Sequence, residues 1–219
     1  MEDNNHSASH SFTNIIKQTE NMTPKQIKIL EAAIELIAEK GYAATSTSEI
    51  AKRAGVAEGT IFRHYQTKKD LLMAIVHPVI AQFMIPTFAG KFVDEVFHHH
   101  HTSLQNFLYL LIKNRFSFVK DNVPLIKILI QELAFHPELQ DALKKTALEK
   151  VIPAMQKTFD FYKEKGELRD IPNDQIIRMI GPAIIGFLFT RFIIQPDRAW
   201  DDETEIKQTI DYLMHGIGK

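Results

Sequence analysis

Cysteine is absent from the 219-residue chain, which excludes disulfides and thiolate metal sites. The N-terminus is polar and lacks the apolar region of a signal peptide, so secretion is not expected. Long apolar runs are missing too. The most membrane-like stretch, Met179 to Phe189, falls short of a bilayer span and is flanked by Arg178 and Arg191. A cytoplasmic protein with no membrane partner is the expectation. Excess charge of either sign is lacking, since 26 bases face 27 acids, and the molecule as a whole is not an electrostatic nucleic-acid binder. No nucleophile elbow, phosphate-binding glycine loop, HExxH or paired CxxC occurs. Gly41, Gly55 and Gly59 do not form a dinucleotide fingerprint. An enzyme is not indicated, and no cofactor is expected. There is no βαβ alternation, internal repeat or convincing strand pattern, so the fold class is all-α.

What is present centres on Thr47 to Lys68, TSEIAKRAGVAEGTIFRHYQTK. This reads as two short helices around a tight corner. Thr47 is placed to cap the first, with Ile50 and Ala51 on its inner face. Gly55 supplies the left-handed backbone of the corner and Val56 plugs it. Glu58 to Tyr65 forms the second helix, with Ile61 and Tyr65 turned inward. The outer surface then carries Thr47, Thr60, Arg63, His64 and Lys68, with Glu49 and Glu58 as the acidic exceptions. Small residues at a helix start, followed by a cation and a hydrogen-bonding ring, suit entry into a DNA groove. A helical hairpin with glycine at its corner also occurs in proteins that never meet DNA, but that reading leaves the outer face unexplained. From Thr23 to Leu72 eight bases face six acids, a net of +2 that leaves −3 for the remainder. A mildly basic head on an acidic body results.

The pieces Ile50-Ala51, Ala54-Gly55-Val56, Gly59-Thr60-Ile61-Phe62, His64-Tyr65 and Lys68 followed by Asp70-Leu71-Leu72 resemble, in order and spacing, the helix-turn-helix of the TetR family of transcriptional regulators. The resemblance covers Thr23 to Leu72; the rest matches only in helix order and length. It implies a homodimeric repressor whose paired recognition helices bind a palindromic double-stranded DNA operator. It also implies a pocket in the C-terminal body for a small hydrophobic effector. Matched residue by residue, Thr47 and Ser48 stand where the second helix meets phosphate and base. Gly59, Thr60 and Arg63 stand on the recognition helix, and His64 and Lys68 at backbone-contacting positions. Phe62 replaces a tyrosine whose hydroxyl would bond phosphate. Ala57 stands where a capping Ser or Thr is common, leaving that helix end to Glu58.

Three domains follow: an arm at residues 1–22, read as disordered from its Asn, Ser, His and Thr content, a helix-turn-helix head at 23–70, and a ligand-binding and dimerisation body at 71–219. Thr23-Pro24 starts a helix that Gly41 ends. Thr67 caps a fourth helix, interrupted at Pro78 and Pro86, that links head to body. Further helices are read over 103–120, 125–135, 139–165 (with a bend at Pro153 and a stop at Gly166), from a cap at Asn173 or Asp174 to Gln195, and from Asp201. The helix from Asn173 is apolar around almost its whole circumference, so a second copy of the chain is expected to cover its outer face. Phe and Met are frequent in the body, and single such residues are ordinarily core. Phe83, Phe107 and Phe118 are the candidates for an apolar effector pocket. His98 to His101 form a run that could take a transition metal, but neighbouring helical residues point apart and no further ligand follows at suitable spacing. No metal site is assigned. A metal-sensing regulator using that run, and a helical interaction protein without DNA binding, are the alternatives.

Overall fold

The computed structural model of the chain describes residues 23–78, 92–97 and 102–216. The arm at 1–22, the continuation of the fourth helix past Pro78 with Phe83 and Pro86, and the His98–His101 run lie outside the described residues. Among the described residues there is no strand. The helices are α1 Pro24–Lys40, α2 Thr47–Ala54, α3 Glu58–His64, α4 Lys68–Pro78, α5 Phe92–Phe97, α6 Leu104–Asp121, α7 Val123–Leu133, α8 Pro137–Thr146, α9 Ile152–Glu164, α10 Asn173–Phe189 and α11 Asp202–His215. Two π-helical turns, Ala147–Val151 and Thr190–Ile194, continue α8 into α9 and extend α10.

Two compact units emerge. One holds α1–α4 together with α7 and the start of α8; the other holds α5, α6, α9, α10 and α11. In the first, α1 is the central post. Thr23 accepts from the Gln26 amide and Gln26 reciprocates, a capping box with Pro24 behind it. Ile29, Leu30, Ala33, Ile34 and Ile37 recur at helical spacing and are buried, the Ile and Leu side chains each worth about 1.5–3 kcal/mol relative to exposure. Gly41 then turns the chain at φ 85°. α2 and α7 both pack on α1. The inward face of α7 presents Leu125, Ile128 and Leu129. Beside them the buried Glu132 carboxylate stands near Tyr42, whose phenol is pushed up by burial first and by Glu132 and Asp70 next.

In the second unit Phe107 on α6 is fully buried among Phe97, Phe159 and Tyr162, with ring centroids 5.5, 6.4 and 5.9 Å away. The Tyr162 hydroxyl donates to the Ser103 carbonyl at 3.2 Å. Just before Pro153, where a bend was expected, the helix makes a π turn. Proline's ring would meet the carbonyl four residues back, and widening one turn, with the Ile152 amide reaching Ala147, relieves that conflict. Gly166 ends the helix at φ 73°, and the Glu167 amide donates back to Tyr162.

One reading needs correction here. Neither Asn173 nor Asp174 caps α10. The cap position is Pro172, without a side-chain bond, because the Asn173 amide is drawn to Asp160 at 2.7 Å and to the Gln156 carbonyl at 3.3 Å instead. Within the chain α10 is buried along one face and exposed on another. Ile176, Ile180, Ile184, Leu188 and Phe192 form a buried stripe at four-residue spacing, while Met179 and Ile185 are each 66% exposed and Ile194 58%. The continuous helix from Asn173 to Ile194 also exceeds the Met179–Phe189 run, because apolar residues extend it at both ends. Its 22 residues, with an 18-residue window of mean hydropathy 1.7, meet the length and composition of a bilayer span. Only the stripe of Ile176, Ile180, Ile184, Leu188 and Phe192 is buried within the chain.

Candidate nucleic-acid interface

The two-helix corner is built by short-range chemistry. Ser46, rather than Thr47, caps α2: its hydroxyl accepts from the Glu49 amide at 3.2 Å, and the Glu49 carboxylate accepts from the Ser46 amide at 3.0 Å and hydroxyl at 2.8 Å. The spacing Ser46-x-x-Glu49 closes this box; Thr47 has no acid or amide at N3 to answer it. Thr47 is therefore the first helical residue, and its hydroxyl donates to Glu58 across the corner at 2.7 Å. Gly55 adopts φ 68°, ψ 35°, and the Val56 amide donates to the Ala51 carbonyl at 3.0 Å, the bond pattern that ends a helix through a left-handed residue. α3 begins at Ala57 without a side-chain cap. Thr67 and Asp70 cap α4 reciprocally, at 2.8 and 3.0 Å.

These constraints turn Ile50, Ala51, Ile61 and Tyr65 inward and sort the candidate residues on the other side. Ser48, Gly59, Phe62 and Arg63 are exposed, Phe62 by half; Thr47, Thr60, His64 and Lys68 are half-buried. Gly59 has negative φ and nothing within 4 Å of a side chain added there. Its bareness serves no backbone need and leaves the start of α3 open to an approaching surface. Several bases of the head are already engaged. Arg53 bridges Glu35 and Glu39 on α1 at 3.1 and 3.4 Å, Lys40 pairs with Glu49, and the Lys68 ammonium donates to the Ala43 carbonyl at 3.3 Å over the Tyr42 ring. Arg63, by contrast, has no carboxylate partner among the described residues and points out from the last turn of α3. The network around Lys40, Arg53 and Glu49 was not anticipated, although acids on α1 and bases on α2 were visible in sequence.

Residues 29–75 match the family model described as bacterial regulatory proteins, tetR family. Over these residues the chain is similar to the TetR family. The fatty acid metabolism regulator protein of Bacillus subtilis is 44% identical over 61 residues, which are 28% of this chain and 31% of that protein. The chain thus spans about a third or less of the length of the curated relatives it matches. Among solved structures, the FadR transcriptional regulator of Bacillus subtilis in complex with stearoyl-CoA aligns with TM-score 0.63 and 24% identity over 88% of this chain and 99% of that one. The fatty acid degradation regulator FadR of Bacillus halodurans gives 0.65 and 22% over 90% and 98%. These likenesses extend the TetR fold to the body, and the relatives are regulators rather than enzymes.

The body's candidate residues fall into different settings. Phe107 is core, packed as described. Phe118 is half-buried eleven residues further along α6, roughly 16 Å away at helical rise. The Arg115 guanidinium lies 5.1 Å from the Phe118 ring centroid and 3.9 Å from that of Phe92. It also donates through Nε to Asn114 Oδ1 at 3.1 Å. Burial pushes its pKa down to about 10, against the pull of Glu95. Apolar rings thus enclose a buried cation, which the Phe and Met count did not reveal. A separate hollow of about 400 Å³ lies among Leu104, Leu108, Ile176, Ile180 and Leu213, with Glu167 at its edge. Among the described residues no group of His, Asp and Glu could hold a metal ion.

Proposed function

We propose that this TetR-family chain is a ligand-responsive transcriptional regulator that binds a palindromic DNA operator as a homodimer and, as a repressor, is released by a small hydrophobic effector. The observation that carries the reading is the outward face of α3, where Arg63 stands without a carboxylate partner beside the bare Gly59 while Arg53 and Lys40 are tied to acids. A guanidinium pairs bidentately with guanine, and Arg63 is assigned that role. Ser48 and Lys68 serve phosphate, as does His64. Phe62 brings no hydroxyl and makes apolar contact only.

The effector class is taken from the stearoyl-CoA of the Bacillus subtilis neighbour: an acyl chain with an anionic head group. Phe118 and Phe92 around Arg115 supply matching chemistry, a ring-lined place with a cation inside it. The exposed apolar face of α10, with Tyr212 of α11, is the proposed two-fold interface.

The test begins with sequencing the DNA fragments that the purified protein retains. On the operator so defined, Arg63→Ala is expected to cost about 1–3 kcal/mol and to relax preference at one position per half-site. Lys68→Ala should weaken all DNA binding and flatten the salt dependence. Identical profiles for the two variants would refute these roles. Long-chain acyl-CoA should weaken operator binding, and operator should weaken acyl-CoA binding by the same factor. An acyl-CoA that binds without changing operator affinity would remove it as the effector.

A further inference from the structure

Glu58 is an acid on a face otherwise suited to DNA. Its carboxylate does not cap its own helix, which starts at Ala57 with no side-chain bond. One oxygen, Oε1, instead accepts from the Thr47 hydroxyl at 2.7 Å, so a residue of α2 steadies an exposed side chain at the start of α3. Among the described residues the other oxygen has no partner. Gly59 alongside adds no bulk.

We propose that Glu58 is a base-reading residue that selects cytosine in the operator major groove, held in place by Thr47; this rests on the DNA-binding reading above. An ionised carboxylate only accepts hydrogen bonds. Phosphates line the edges of the groove and repel it, so it is tolerated only where it points at a donor on the groove floor. Guanine offers N7 and O6 and thymine offers O4, all acceptors. Adenine offers its N6 amine, but with the N7 acceptor beside it. Cytosine alone presents its N4 amine without an adjacent acceptor. A carboxylate therefore ranks cytosine first and penalises the other three. Thr47 contributes by removing freedom from a side chain that would otherwise swing toward phosphate or solvent.

The experiment selects duplexes from a randomised DNA pool with the full-length wild-type chain, Glu58→Gln and Thr47→Val. Each is then titrated on the wild-type site and on sites changed at single positions. The wild type should require cytosine at one position per half-site. Glu58→Gln, which keeps the shape and adds a donor, should lose roughly five- to tenfold of that preference and move toward adenine, whose N7 and N6 a carboxamide matches. Other positions should hold. Thr47→Val should shrink the cytosine preference without creating one for adenine. If Glu58→Gln instead raises affinity equally on all duplexes, Glu58 merely repels phosphate and the proposal fails while DNA binding stands. A uniform loss in Thr47→Val would give Thr47 to phosphate and overturn its anchoring role. A wild type that enriches no sequence would overturn the DNA-binding reading itself.

Discussion

The head and the body are held together by different kinds of rule. In the head, all helix starts but that of α3 are closed by side chains a few residues away: Thr23 with Gln26, Ser46 with Glu49, Thr67 with Asp70. The corner between α2 and α3 is a single left-handed glycine. In the body, α10 begins without a side-chain cap, carries Pro182 in its interior and runs into a π turn, while its apolar residues divide between a buried stripe and an exposed one. Local bonding thus closes three of the four helix starts in the head, whereas in the body it closes α6 and α11 but not α10. Many apolar sequences satisfy packing, whereas few satisfy a corner, and the family model correspondingly matches residues 29–75.

The sharpest way to break this contrast is to cut into the body's core. Phe107 is enclosed by three aromatic rings and has no exposed surface. Phe107→Ala should cost about 3–5 kcal/mol of stability, the range for deleting a buried phenylalanine, read from denaturant or thermal unfolding. A cost below about 1 kcal/mol would show that the ring lines empty space, as an effector-pocket residue does, rather than core.

Next in size is a pair of charges placed on exposed apolar surface. Ile185 on α10 is 66% exposed and Phe135, after α7, is 78% exposed, so exposure alone ranks Phe135→Glu as the more disruptive or treats both as neutral. The interface reading separates them. Ile185→Glu would bury an unpaired charge against its two-fold mate and should weaken dimerisation by about 3–5 kcal/mol, giving monomers by light scattering at micromolar protein. Phe135→Glu should stay dimeric and within about 0.5 kcal/mol of the parent. A monomeric wild type, or two variants that behave alike, would sink the interface.

The same contrast explains what could be read from the sequence. Gly55, Val56, Ile61 and Tyr65 were legible because a tight corner leaves little choice of residue. Thr47 was misassigned as a cap because Ser46 and Thr47 are both acceptable cap residues, and only Glu49, three past Ser46, decides between them. The all-helical class and most helix spans followed from apolar spacing. The packing of α7 on α1 did not, since periodicity marks which face is buried but not against what. Arg115 was invisible for a related reason: a base within an apolar stripe looks like an exposed interruption until Phe92 and Phe118 are seen around it. Asn173 and Asp174 have cap chemistry, yet Asp160, thirteen residues before Asn173, claimed the Asn173 amide, a partner no local rule points to.

The smallest effect is a pH dependence that belongs to the head. The Glu49 carboxyl is held down to about 2 from an ordinary 4.5, first by the Lys40 ammonium and then by the Ser46 amide and hydroxyl. A carboxyl with a lowered folded pKa binds its proton less readily folded than unfolded. Its contribution is therefore present above about pH 4.5 and is lost as pH falls toward about 2. Glu49 is on the surface, so salt screens the Lys40 pair, and the amide and hydroxyl bonds of the capping box should carry what survives. Thermal unfolding followed across that window should show the wild type losing more stability than Glu49→Gln, whose side chain still accepts from the Ser46 amide at every pH. High salt should narrow the difference without abolishing it. Equal acid sensitivity in the two proteins would mean that carboxylates elsewhere, such as Glu203 held down by Lys113, set the acid limit. The body rather than the head would then be the first part of the molecule to respond to acid.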